Sequence, residues 1–357
     1  MALVSETVDV VVIGAGQAGL STGYHLRRRG VTPFVILDHS PAPGGAWQFR
    51  WPTLTLRTVH GIFGLPDMPV PPFDPDDRAD QVIPAYFAEY EHRFDLPVRR
   101  PVDVTAVHEL PDGRLRVITD HGDWNARAIV NATGTWDKPF VPHFPGQESF
   151  TGRQLHTVNY RGPEQFRKAR VVVVGAGASA MQHLMELAPV AAATRWVTRR
   201  PPQFTEGEFD PDWGRHVVAA VADRVRRGLP PESVIKATGY RLTPPIRAAV
   251  EAGILDRHPM FRRIRPDGVE WADGGFFAAD TILWATGFRA ALDHLAPLRL
   301  RRFGGGITMD GTQVAGEPRV HLVGYGPSAS TVGANRAGRQ AAVRLSREPA
   351  AVSAGRG

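Results

Sequence analysis

Two glycine-rich turns of one design mark where this chain could do chemistry. The first, Gly14-Ala15-Gly16-Gln17-Ala18-Gly19, follows the β-rich run 8–13. A glycine at the first position permits a tight turn. One at the third lets the backbone approach a pyrophosphate, and one at the sixth lets helix and strand pack closely. A helix starting there presents unpaired N–H groups to phosphates. A second strand, 34–37, ends at Asp38, about two dozen residues after Gly14 and placed to accept hydrogen bonds from a ribose 2′-hydroxyl. The second turn, Gly175-Ala176-Gly177-Ala178-Ser179-Ala180, follows four valines and opens an apolar helix. Its next strand, around Trp196 and Val197, ends in Thr198-Arg199-Arg200 instead of a carboxylate. A carboxylate would repel the 2′-phosphate of NADP, whereas a guanidinium can bind it bidentately, so the second turn is expected to take NADPH in preference to NADH.

The elements around these turns predict an α/β fold with two Rossmann-like dinucleotide-binding domains, one nested in the other. Strand 129–131 runs into Ala132-Thr133-Gly134, and strand 282–284 runs into Ala285-Thr286-Gly287. Each is a small, turn-capable tripeptide where another backbone or a ligand can come close. The pair brackets the second glycine turn. Residues 1–150 and 289–357 are therefore expected to form the first domain, and residues 151–288 the inserted one. The closing stretch supplies a strand at 320–323, the turn Gly324-Tyr325-Gly326 and a helix from Ala334 to Leu345. The positive end of that helix is suited to negative charge developing on a reduced flavin.

Composition removes other classes. A chain of 357 residues with 43% hydrophobic and 22% charged residues is a folded protein with room for two cores. There is no cysteine, so disulfide scaffolds, thiolate metal sites and redox-active cysteine pairs are excluded. The net charge of +6 comes from short arginine groups scattered along the chain, which read as solvated faces, not as a nucleic-acid site. No run is long and apolar enough for a membrane span, and the start of the chain reads as a strand, so a cytoplasmic location is expected. His216, His258 and His294 lack metal-ligand spacing and read as surface or core residues.

Between the turns lies Phe150-Thr151-Gly152-Arg153-Gln154-Leu155-His156-Thr157-Val158-Asn159-Tyr160. It fits the fingerprint F-x-G-x-x-x-H-x-x-x-[Y/F/W] at every fixed position, and the chain resembles the class B flavin-containing monooxygenases, with their Baeyer–Villiger and auxin-forming relatives. Gly44-Gly45-Ala46-Trp47 looks like their flavin-site G-G-x-W, and Leu65-Pro66-Asp67-Met68-Pro69 like their L-P-x-x-P segment. The resemblance implies FAD on Gly14, Gly16, Gln17, Ala18, Gly19, Asp38, Gly45, Trp47, Ala132, Thr133, Gly134 and Gly324. It implies NADPH on Gly175, Gly177, Ala178, Ser179, Ala180, Arg199, Arg200, Ala285, Thr286 and Gly287. His156 is expected to link domain movements. Tyr160 resembles the heteroatom-oxygenating branch more than the Baeyer–Villiger branch.

The implied reaction passes a hydride from NADPH to flavin N5, adds dioxygen to form a C4a-hydroperoxide, and transfers oxygen to a soft nitrogen, sulfur or arsenic nucleophile of a small molecule. One departure bears on this. Animal members carry an asparagine before the L-P-x-x-P segment, where this chain reads Arg57-Thr58-Val59-His60, so His60 or Thr58 is the candidate replacement. Alternatives are a reductase or oxidase without oxygen transfer, a Baeyer–Villiger enzyme and, from another class, a non-catalytic dinucleotide sensor. Substrate identity and oligomeric state, a homodimer included, are left open.

Overall fold

The computed structural model describes residues 5–59, 61–206, 211–231 and 239–347. The apolar run before the first turn forms β1 (Ser5–Ile13), whose last four residues are buried. It leads through the turn into α1 (Gln17–Arg28) and then β2 (Phe34–Leu37), which is buried throughout. After α2 (Ala79–Arg93) come β3 (Val98–Arg99), β4 (Val104–Glu109), β5 (Leu115–Thr119) and β6 (Gly122–Asn131).

The chain then builds a second sheet before completing the first. The segment comprises β7 (Arg153–His156), β8 (Arg170–Val174), α3 (Ala178–Leu187), β9 (Ala193–Thr198), β10 (Phe204–Thr205), α4 (Pro211–Arg226), β11 (Tyr240–Arg241), α5 (Pro244–Glu251) and β12 (Arg257–Pro259). A three-stranded antiparallel sheet of β13 (Arg263–Arg265), β14 (Gly268–Glu270) and β15 (Phe276–Ala278) precedes β16 (Thr281–Trp284). The last elements are β17 (Met309–Asp310), β18 (Gln313–Val314), β19 (Glu317–Leu322) and α6 (Thr331–Arg347). The helix begins three residues earlier than the expected Ala334 because Ser330 caps it, its Oγ accepting from the Gly333 N–H at 3.1 Å.

Strand order in the first sheet is β17-β18-β19-β6-β1-β2-β3, with β5 attached to β6 and β4 to β5. Its centre, β19-β6-β1-β2-β3, is parallel. The second sheet, β12-β9-β8-β16-β7, is parallel throughout. In each, the chain moves outward from a central strand (β1 or β8) and later returns on its other side (as β6 or β16). That reversal opens a crevice at the carboxyl ends of the two strands. α6 closes the first unit by packing on α1 so tightly that a Cβ at Gly338 would fall 2.8 Å from the Thr22 nitrogen. Arg127 ties the layers together, pairing with both Asp9 oxygens at 2.7 and 2.9 Å and donating to the Leu345 carbonyl. No described helix is long and apolar enough to cross a membrane.

The fixed positions of the 150–160 fingerprint join the two units. Phe150 is buried in the second core, and a Cβ at Gly152 would fall 2.5 Å from the Asp280 carbonyl oxygen. Tyr160, fully buried, donates its hydroxyl to Glu186 of α3 at 2.7 Å, and Thr53 from the first unit donates to the same oxygen at 2.6 Å. Its ring packs on His183, also of α3, at 4.1 Å, and Trp51 from the first unit covers both rings.

Both ring nitrogens of His183 lack partners, and burial, helped by the neighbouring His156, lowers its pKa from 6.5 to about 3. A group that gains a proton more readily when unfolded makes stability fall as pH falls, here from 6.5 down towards 3. Each lost pH unit inside that window costs about 1.4 kcal/mol, hence about 2 kcal/mol at about pH 5. His183→Phe keeps an aromatic ring in the joint and removes the titration. Thermal melts at about pH 7 and about pH 5 should show the variant losing about 2 kcal/mol less than the parent; equal losses would relieve His183 of this role.

Candidate functional site

Gly14 and Gly175 sit in equivalent surroundings, and their backbones explain why a side chain is excluded. Gly14 has φ +100° and donates to Leu37 O at 2.7 Å; Gly175 has φ +141° and donates to Val197 O at 3.0 Å. Ala132 donates back to Ile13 O at 2.7 Å, and Ala285 to Val174 O at 2.8 Å. A Cβ on Gly14 would lie 2.7 Å from the Ala132 carbonyl oxygen, and one on Gly175 would lie 2.1 Å from that of Ala285. The two Ala-Thr-Gly tripeptides are thus the opposite walls of the two crevices. Gly19 serves packing alone: a Cβ there would meet the Gly14 carbonyl oxygen at 1.8 Å.

The floor of each crevice is bare. Gly16 and Gly177 occupy the N-caps of α1 and α3, neither supplies a side-chain cap, and so the first N–H groups of both helices remain available. A Cβ on Gly16 would meet nothing within 4 Å, and one on Gly177 would approach only the Tyr240 hydroxyl, at 3.9 Å. Uncapped helix starts beside open space suit the pyrophosphate of a dinucleotide.

The first crevice is a cavity of about 440 Å³. Gly14, Gly16, Gln17, Ala18, Asp38, Gly45, Trp47, Ala132, Thr133, Gly134 and Gly324 all line it; Gly19 does not. Asp38 is buried and held by Arg100 at 3.2 Å, which in turn grips both oxygens of Glu91 at 2.6 and 2.8 Å. Asn131 accepts from His294 at 2.7 Å, and His294, whose pKa burial lowers to about 4, lines the cavity as a neutral ring. This differs from the expectation of an ordinary surface or core histidine. Gln17 turns away from the floor and donates to Phe63 O at 3.2 Å and Asn335 Oδ1 at 3.0 Å, while Asn335 donates to Gly64 O at 2.8 Å. Together they fasten the 61–64 loop to α1 and α6.

In the second unit, Ala178, Ser179 and Ala180 form the first turn of α3, with Ala180 buried beneath it. Arg199 and Arg200 are exposed at the end of β9. Sequence reasoning missed a third guanidinium there: Arg257, on the neighbouring β12, donates to Thr198 Oγ1 at 2.8 Å. Thr286 donates its hydroxyl to Phe140 O, and Gly287 O accepts from Phe140 N at 2.9 Å, so this tripeptide also binds the two units together.

His156 completes that contact. Its Nδ1 accepts from the Val158 N–H at 3.3 Å, and its Nε2 donates to Gly287 O at 3.0 Å, which fixes a neutral tautomer whose pKa burial lowers. The ring meets Phe288 edge-on at 5.0 Å; Phe288 stacks on Trp136 at 5.2 Å, and both of these line the first cavity. His156 therefore reaches the cavity only through Phe288. Of the expected replacements for the missing asparagine, Thr58 is engaged with Thr55 O at 3.0 Å, and His60 lies outside the described residues. Arg57 beside them pairs with Asp76 at 2.9 Å. Among the described residues no acidic, histidine or cysteine cluster could hold a metal ion.

Comparison with known proteins agrees with this geometry. The family described as pyridine nucleotide-disulphide oxidoreductase matches residues 11–247. A flavin-containing monooxygenase from Stenotrophomonas maltophilia is 38% identical, superposes with a TM-score of 0.82, and is matched over 96% of this chain and 99% of that one. An oxidoreductase of Geobacillus kaustophilus, named CzcO-like, is 28% identical over 79% of this chain and 80% of its own length. A Baeyer–Villiger monooxygenase of Streptomyces coelicolor is 28% identical over 63% of this chain, a match spanning 45% of that enzyme. With no cysteine, the chain cannot relay electrons through thiols of its own, whatever the family's description says of disulphides. The chain belongs to the pyridine nucleotide-disulphide oxidoreductase family, as a flavin-dependent monooxygenase that uses FAD and NADPH.

Proposed function

We propose that FAD occupies the Gly14–Gly324 cavity, that NADPH occupies the Gly175–Ala180 turn, and that the enzyme oxygenates a soft nitrogen or sulfur centre of a small molecule. The division into 1–150 with 289–357 for FAD and 151–288 for NADPH is part of the same reading. It is carried by one observation: two equivalent glycine turns each leave an uncapped helix start with no side chain over it, and the tripeptide walling the second leads straight into Phe288, which lines the first cavity. Bound FAD would supply the redox chemistry, taking up reducing equivalents and activating dioxygen. The chain's own part is to bind, orient and keep water out. Asp38, oriented by Arg100, accepts the ribose hydroxyls, and the uncapped N–H groups of α1 receive the pyrophosphate. Trp47, Trp136 and Phe288 give the cavity an aromatic wall.

A second reading, NADPH oxidation without oxygen transfer, is favoured by one feature: Arg57 and Thr58 are tied up with Asp76 and Thr55.

Three results test these assignments. Gly16→Val projects into open space and should leave an apoprotein that melts like the parent's but retains little FAD, whereas Gly19→Ala meets the Gly14 carbonyl and should fail to fold. Full flavin occupancy in a folded Gly16→Val protein would remove FAD from this cavity. Arg199→Ala and Arg200→Ala should each lower kcat/KM for NADPH by about tenfold or more, with little change for NADH. An unaltered ratio in both would leave the two arginines as surface charge. Finally, anaerobically reduced enzyme with NADP⁺ bound, mixed with oxygen, should show a transient flavin absorbance distinct from the oxidised and reduced forms, and should yield an oxygenated amine or sulfide. Direct reoxidation with stoichiometric hydrogen peroxide and no product would establish the second reading.

A further inference from the structure

Arg50 is an anomaly among the partly buried arginines. It follows the 3₁₀ helix Gly45–Phe49, and its guanidinium carbon lies 4.3 Å from the Trp136 ring centroid and 5.5 Å from that of Trp47. Its Nε is sealed from solvent without a hydrogen-bond partner. Arg100, Arg127 and Arg319 each lie against carboxylates. Burial alone lowers the Arg50 pKa to about 10, with no described carboxylate to offset it, so the side chain stays charged near neutrality. The aromatic faces attract the charge but offer no lone pair to its N–H donors, and a charge drawn partly out of water without a counter-ion is disfavoured. The acids nearby are engaged: Asp38 is bound by Arg100, and Asp137 lies 3.4 Å from His39. The missing partner is an anion that arrives with a ligand.

Arg50 lines the same cavity as the first glycine turn. Gly45, at the start of its 3₁₀ helix, rests on that turn so closely that a Cβ there would fall 2.9 Å from Gly16 Cα. On the other side, Trp136 leans on Phe288, which follows the Ala-Thr-Gly wall of the second crevice. We infer that Arg50 is a pyrophosphate-binding residue, its planar fork receiving phosphate oxygens of a dinucleotide at the meeting of the two crevices. Phosphate is the group common to FAD and NADPH that matches this fork in charge and geometry. The inference rests on the cofactor reading above, and FAD bound by the parent protein tests that reading separately.

The experiment compares parent, Arg50→Met and Arg50→Lys. FAD affinity is measured on apoprotein by flavin fluorescence, with ADP and adenosine as competitors, and NADP⁺ affinity on holoprotein by calorimetry. If the phosphates belong to FAD, Arg50→Met should weaken FAD and ADP by about tenfold to a hundredfold, leave adenosine unchanged, and be partly restored in Arg50→Lys. If they belong to NADPH, FAD binding holds and NADP⁺ weakens by about the same factor. In either case the Arg50→Met apoprotein should still melt in one cooperative transition, so that the loss is one of affinity and not of folding. Unchanged affinity for both dinucleotides would overturn the assignment.

Discussion

Both halves of the molecule depend on a steric constraint a single carbon wide. The first glycine of each turn lies under the carbonyl of an alanine delivered by a strand more than a hundred residues further along the chain, too close for any Cβ. With that contact made, the crevice is as narrow as backbone allows, and the N–H groups just beyond it face open space. With a side chain in the way, the strand that carries the alanine could not sit beside the central strand, and its hydrogen bonds to Ile13 or Val174 would be lost. The same contact therefore builds the sheet and shapes the binding surface. This is why one motif serves both units although the residues closing their second strands, Asp38 and Arg199-Arg200, differ in charge.

The joint between the units is built from different material. Thr286, Gly287 and His156 form a hydrogen-bonded seam with Phe140. Tyr160, Glu186 and Thr53 form another, with Trp51 and His183 stacked against it. In both seams a polar group of one unit depends on a partner from the other. The fixed positions of the fingerprint thus have separate duties: core, close approach, and two hydrogen bonds that hold Gly287 and Glu186 where the first unit meets them. A nucleophile or acid–base pair is absent from these duties, as expected where the cofactor carries the chemistry.

The parts legible in the sequence were those written locally. Valine runs, glycine spacing and the residue closing each second strand are short-range signals, and they located both glycine turns and the strands that lead into them. The unseen parts are pairings across long separations. Arg100 looks like one more surface arginine until the fold brings it to Asp38, and Glu186 is an ordinary helix glutamate until Tyr160 and Thr53 converge on it. His294 seemed isolated because its partner, Asn131, is 163 positions away. Arg50 stands just beyond the Gly44–Trp47 segment already singled out, but its sealed Nε without a hydrogen-bond partner is a property of the folded chain alone.

The order in which the cavity walls are made has its own consequence. Gly324, Ser328–Thr331 and Ala334 form the far side of the first cavity, while its floor lies at residues 14–18. On the ribosome the inserted sheet is complete once β16 emerges, but the first unit still lacks β19 and α6 at that moment. The unit that begins the chain is thus the last to be finished, and its N-terminal strands must wait, half-assembled, through the synthesis of an entire second sheet.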